Sequence, residues 1–186
     1  MTGMAAQYRR SARANLLANH RLHAAMAALS TAEFQAPRAG FFPSLAGTLN
    51  HILAVDILYL AALHGEANML AQYEACPRFE TLQALAETQR QADERLIRYT
   101  DGLTDAGCDE EVALDRGEFR VVDRVADVLA HLFMHQTHHR GQAHAMLSGT
   151  AIEPPQLDEF LLASDAPQRA VDLQVLGWNE GDLFDR

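Results

Sequence analysis

With 186 residues, 48% of them hydrophobic and 22% charged, the chain has the composition of one globular domain over 1–186. All fifteen basic residues are arginines, which excludes lysine Schiff-base chemistry and the lysine of a phosphate-binding P-loop. A formal charge of −10, relieved by no basic run, repels phosphate backbones, so no nucleic-acid partner is expected.

Residues 4–29 are rich in alanine and leucine, contain no proline, and predict a first long helix without a signal-peptide core. Its His20 and His23, one turn apart, read as surface or interhelix polar groups. Residues 30–44 carry Pro37, Gly40 and Pro43 and read as a connection, with Ser44 placed to cap a second helix over 45–64. That helix is apolar on several faces (Leu49, Ile52, Leu53, Ile57, Leu58, Leu60), so it is either central or covered by another subunit. A homodimer is the expectation. The apolar run 52–63 is interrupted by Asp56 and too short for a bilayer, so no membrane is expected.

Past Pro77, residues 81–103 alternate Leu82, Leu85, Ala92 and Leu96 with Glu87, Arg90, Asp93 and Arg98, the pattern of a half-buried third helix. Residues 111–122 predict a short hairpin turning at Asp115-Arg-Gly117. The last long helix is expected over 123–147, with Asp123 as its N-cap and Ser148-Gly149 closing it. After Pro154-Pro155 the pattern suggests one short helix over 157–164 and an irregular tail from about 165. The fold class is all-α, a four-helix bundle with a hairpin insertion before the last long helix. Cys76 and Cys108 form no CxxC pattern and point to a reducing, cytoplasmic setting.

Chemistry concentrates in the last long helix, which holds His131, His135, His138 and His139. At about 100° per residue, His139 falls inside the apolar sector of Val128, Leu129, Leu132 and Met146, with His135 at its edge. His131 sits further round, and His138 and His144 lie outside. His135 and His139 are thus an inward i, i+4 pair, a spacing at which two imidazoles can grip one metal ion. The best third ligand is His51, in the apolar second helix. A hydrogen-bonded core histidine is the competing reading for each of the three. There is no HExxH, no helical Glu-x-x-His pair, no cysteine cluster, no Gly-rich phosphate loop and no G-x-S-x-G elbow. Three neutral imidazoles would leave coordination positions for water or substrate, and imidazole alone does not select the metal.

Two segments, Thr48-Leu-Asn-His-Ile-Leu53 and His131-Leu-Phe-Met-His-Gln-Thr-His-His-Arg-Gly-Gln142, resemble the DinB family of damage-inducible-type bacterial proteins. The resemblance implies a four-helix bundle of unusual connectivity, usually dimeric, holding a divalent metal through three histidines. By motif position these are His51, His135 and His139. The sequence departs from the family pattern at Met134, often asparagine there, on a face turned away from the inferred metal. The wider superfamily is similar to thiol-dependent transferases and an isomerase. This implies a zinc- or nickel-bound low-molecular-weight thiol, held as a thiolate nucleophile toward a small electrophile. A metal-dependent transferase or hydrolase is therefore one expectation. The alternative is a non-catalytic, metal-stabilised dimeric bundle with a binding or stress-response role, His131 being its candidate fourth ligand. Arg140 reads as an exposed ion pair or helix-stabilising residue, with a hold on an anionic substrate group the lesser alternative. Asp56 reads either as support for a ligand or as a buried polar contact.

Overall fold

The computed structural model describes residues 3–115 and 117–184. Four long helices form the bundle: α1 (Met4–Met26), α3 (Leu45–Leu63), α5 (Leu82–Asp101) and α6 (Val125–Leu147). Short helices α2 (Thr31–Gln35) and α4 (Met69–Glu74) flank α3, and α7 (Ala166–Leu176) and α8 (Glu180–Phe184) follow the bundle. Strands β1 (Glu111–Asp115) and β2 (Arg120–Arg124) form an antiparallel hairpin before α6, as expected. α1 and α3 each pack on both α5 and α6, so α1 and α3 occupy one diagonal of the bundle and α5 and α6 the other. Consecutive long helices thus cross the bundle twice, through α2 and through the hairpin.

The second helix keeps its expected start because Ser44 Oγ accepts the Gly47 N–H at 2.9 Å. By length and composition α3 could cross a bilayer, but 78% of that stretch is buried inside the bundle. α5, α6, α2, α4 and β1 enclose it, so its apolar character needs no second subunit. Leu53, Leu85, Leu129 and Leu132 are fully buried in the core that these helices share.

Four expectations are corrected. Residues 30–44 are not a plain connection: Ser30 and Glu33 form a reciprocal capping box that starts α2 and buries Phe34. The Ser-x-x-Glu signature was present in the sequence. The N-cap of α6 is Arg124 and not Asp123, because pairing of Val112 with Asp123 and of Glu111 with Arg124 keeps the chain extended for two further residues. Arg116, in the expected hairpin turn, lies outside the described residues; Gly117 there adopts φ 82° and donates its N–H to Asp115 Oδ1. Residues 157–164 form no α-helix, and the tail beyond 165 is helical where an irregular segment was expected. Pro167 in the first turn and Gly177, at φ 70°, bound α7. The tail folds because it has something to bury: Phe160, Leu173 and Leu183 pack on Ala14, Leu17 and Ala18 of α1. Arg169, buried completely, ties α7 to α8 through two hydrogen bonds to Glu180.

Candidate metal centre

The packing of α3 on α6 brings His51, His135 and His139 together, with one ligand nitrogen from each lying within 4.8 Å of the others. His51 Nε2 and His135 Nε2 are 3.0 Å apart. Two nitrogens on one tetrahedral ion, at metal–nitrogen bonds of roughly 2.0–2.1 Å, are about 3.3 Å apart, so the donor set fits a small divalent cation with little adjustment. His139 is buried; His51 and His135 are half-buried.

One feature of the cluster resembles an oriented metal ligand in particular. His139 Nδ1 donates to Gln142 Oε1 at 2.8 Å, which leaves Nε2 as the free ring nitrogen. Gln142 sits one turn further along α6 and also bonds His138 Nε2 at 3.0 Å, so it holds two imidazoles at once. The His135 Nδ1 atom is buried with no hydrogen-bond partner among the described residues. Phe42 covers the cluster from the segment before α3, its ring centroid 4.4 Å from that of His51 and 5.6 Å from that of His139. An apolar lid of this kind lowers the local dielectric, which favours neutral imidazoles.

The protonation states follow. Burial, then the neighbouring His139, pushes His51 down to about 4. Burial, followed by the surrounding histidines, pushes His135 to about 3. His139 is lowered chiefly by burial, against the opposing bond to Gln142. At neutral pH all three are in the form that binds a metal.

A cavity of about 340 Å³ reaches His135. Its walls include Val55, Leu58 and Tyr59 of α3, Tyr73 of α4 and His131 of α6. His131 therefore lines the approach and does not join the cluster, and its ring lies 5.3 Å from that of Tyr59. Met134 is 65% exposed, turned to solvent as its wheel position requires. His144 bonds the Pro155 carbonyl and His64 packs on Tyr99, both away from the triad.

One sequence reading is overturned here and one open alternative is decided. Arg140 is not an exposed ion-pairing residue. It is buried, and its guanidinium donates to Asn15 Oδ1 at 2.6 Å and Asn19 Oδ1 at 2.9 Å. One step of about 100° beyond His139 turns it into the bundle centre. There α1 and α5 supply the partners that a single-helix wheel cannot show. For Asp56 the buried polar contact, the second of its two readings, is the one found: its Oδ2 accepts from Gln89 at 2.7 Å and from Gln136. Asn15, Asn19, Asp56, Gln89, Asp93, Gln136 and Arg140 form one buried network drawn from all four long helices. Gln142 and Phe42 were also missed as contributors to the centre. The i, i+3 spacing of His139 and Gln142 was a usable signal; Phe42 had none.

Comparison with known protein families matches residues 4–170 to the DinB family. No curated protein matches the chain.

Proposed function

Since the chain belongs to the DinB family, we propose that His51, His135 and His139 hold a divalent transition metal, zinc or nickel, in an enzyme that uses a low-molecular-weight thiol. The observation that carries this reading is the convergence of three neutral imidazoles from two helices beside a cavity that reaches one of them. The ion would take up the thiol as thiolate and so lower its pKa. The chain's own residues supply the rest. Gln142 orients His139, Phe42 excludes water from one side, and Tyr59, Tyr73 and His131 line the space for a small electrophile. The reaction class would be substitution at the electrophile: a carbon–sulfur bond would form as the bond from that carbon to its leaving group breaks, the departing anion taking up the proton that the thiol gave up, and hydrolysis would be the variant with water as nucleophile.

A non-catalytic structural site would call for four protein ligands. Among the described residues the cluster contains three, which favours the open-site reading. The free thiols of Cys76 and Cys108 support a reducing, cytoplasmic setting.

Metal analysis of the purified protein beside its His135→Ala variant tests the site. Stoichiometric transition metal in the parent and none in the variant is the expected result. Cobalt substitution then gives a visible spectrum that added thiols should perturb. A reconstituted parent without metal, or folded His51→Ala and His135→Ala proteins with full occupancy, would overturn the assignment.

A further inference from the structure

A larger cavity, about 760 Å³, lies between α1 and α5, on the side of the bundle opposite the α3–α6 pair that carries the histidine triad. Leu16, Phe34, Leu82 and Leu176 give it an apolar wall, while Asn19, His20, His23 and Asp93 give it a polar one. Asp93 is the informative residue. It is 2% exposed, and its two carboxylate oxygens are unequally satisfied. Oδ1 accepts from Asn15, Asn19 and Gln89, each at 3.1 Å, whereas Oδ2 accepts only from Asn19, at 3.0 Å, among the described residues. A carboxylate oxygen has room for two donors, so Oδ2 keeps an open acceptor position on a residue that lines the cavity.

The cations nearby are committed elsewhere. Arg90, on the α5 wall, is tied between Glu87 and Glu94. Arg140 spends its hydrogen bonds on the Oδ1 atoms of Asn15 and Asn19; its charge lies near Asp93 without donating to it. His23 is neutral, pushed to about 4 by burial and then by Arg140 and His20. The cavity thus combines an acceptor of negative character, the neutral imidazole of His23, and an apolar wall.

We propose that the α1–α5 cavity binds a small organic cation, a primary ammonium donating to Asp93 Oδ2 with an apolar body against Leu16, Phe34, Leu82 and Leu176. The site is separate from the metal centre and does not depend on it.

Calorimetric titration of the full chain with 4-phenylbutylamine, 4-phenylbutanol and 4-phenylbutanoate tests the proposal. The amine should bind saturably and about tenfold tighter than the alcohol, as a charge-assisted hydrogen bond requires, and the carboxylate should not bind. Asp93→Asn should bring the amine to the level of the alcohol. Ala86→Trp fills the cavity from the α5 wall without altering the polar network, so it should abolish binding of both and decides the question if Asp93→Asn does not fold. His135→Ala should leave amine binding unchanged. Equal affinity for amine and alcohol, preference for the carboxylate, or no saturable amine binding at millimolar concentration would overturn the proposal. So would amine binding that survives Ala86→Trp or disappears in His135→Ala.

Discussion

His135 and Gln136, and one turn later His139 and Arg140, are sequence neighbours on α6 that enter two different polar environments. Gln136 and Arg140 join a buried network in which amides and carboxylates from four helices share donors and one guanidinium supplies positive charge. His135 and His139 face His51 in a half-buried cluster where burial and the neighbouring imidazoles oppose protonation, and no cationic side chain among the described residues joins them. The network sets carboxylates against a guanidinium of the same chain and leaves one acceptor position of Asp93 open, and the triad is a set of lone pairs suited to an ion from outside. The contrast separates polar groups that hold the bundle together from polar groups available for chemistry.

The sharpest way to break the comparison is Arg140→Met. Losing the guanidinium leaves Asn15 and Asn19 without their donor and Asp93 without nearby positive charge. The expected cost is about 3–5 kcal/mol in denaturant unfolding. A loss below about 1 kcal/mol would mean that the network is not held by this charge. The triad should behave in the opposite way. His51→Ala or His135→Ala should change metal-free stability by less than about 1 kcal/mol. Added metal at a hundredfold excess over its Kd should stabilise the parent alone, by about 2.7 kcal/mol. Variants stabilised as much as the parent would place the ion elsewhere.

Asp56 gives a finer test. Burial, reinforced by Asp93, raises its pKa well above its ordinary value of 3.8, and its Oδ1 has no hydrogen-bond partner among the described residues. The uncharged isostere Asp56→Asn should therefore cost less than about 1 kcal/mol. Asp56→Leu strands the amides of Gln89 and Gln136 and should cost about 1–3 kcal/mol in thermal or urea unfolding. Equal losses in the two variants would show that size, not hydrogen bonding, matters there.

A pH effect has opposite signs in the two regions. His51 and His135 fall from 6.5 to about 4 and about 3 on folding, so between about 6.5 and 4 the unfolded chain binds more protons. Their contribution to metal-free stability is lost as pH falls through that window. Asp93 rises from 3.8 to about 6, chiefly through burial, so the folded chain binds more protons between those values and gains stability as pH falls. The His51→Ala/His135→Ala double variant should lose less stability than the parent between pH 6.5 and 4. Asp93→Asn should lose more. Parallel profiles for all three proteins would contradict this assignment of signs.

The sequence by itself determined the four long helices, the cap at Ser44, the hairpin and the inward pair His135 and His139. Each of these depends on a local period or on a cap within a few residues, and the matching motif singled out His51. Only the tertiary structure decided what Arg140 and Asp56 do, because their partners stand 121 to 125 residues away on α1 and 33 to 80 away on α5 and α6. The same holds for the tail. Its helices are short and weakly patterned, and they persist by packing Leu173 and Leu183 against α1. Periodicity tells which way a side chain points along its own helix; whether that direction leads to solvent, to a charge or to a cavity depends on which other helices the chain brings around it.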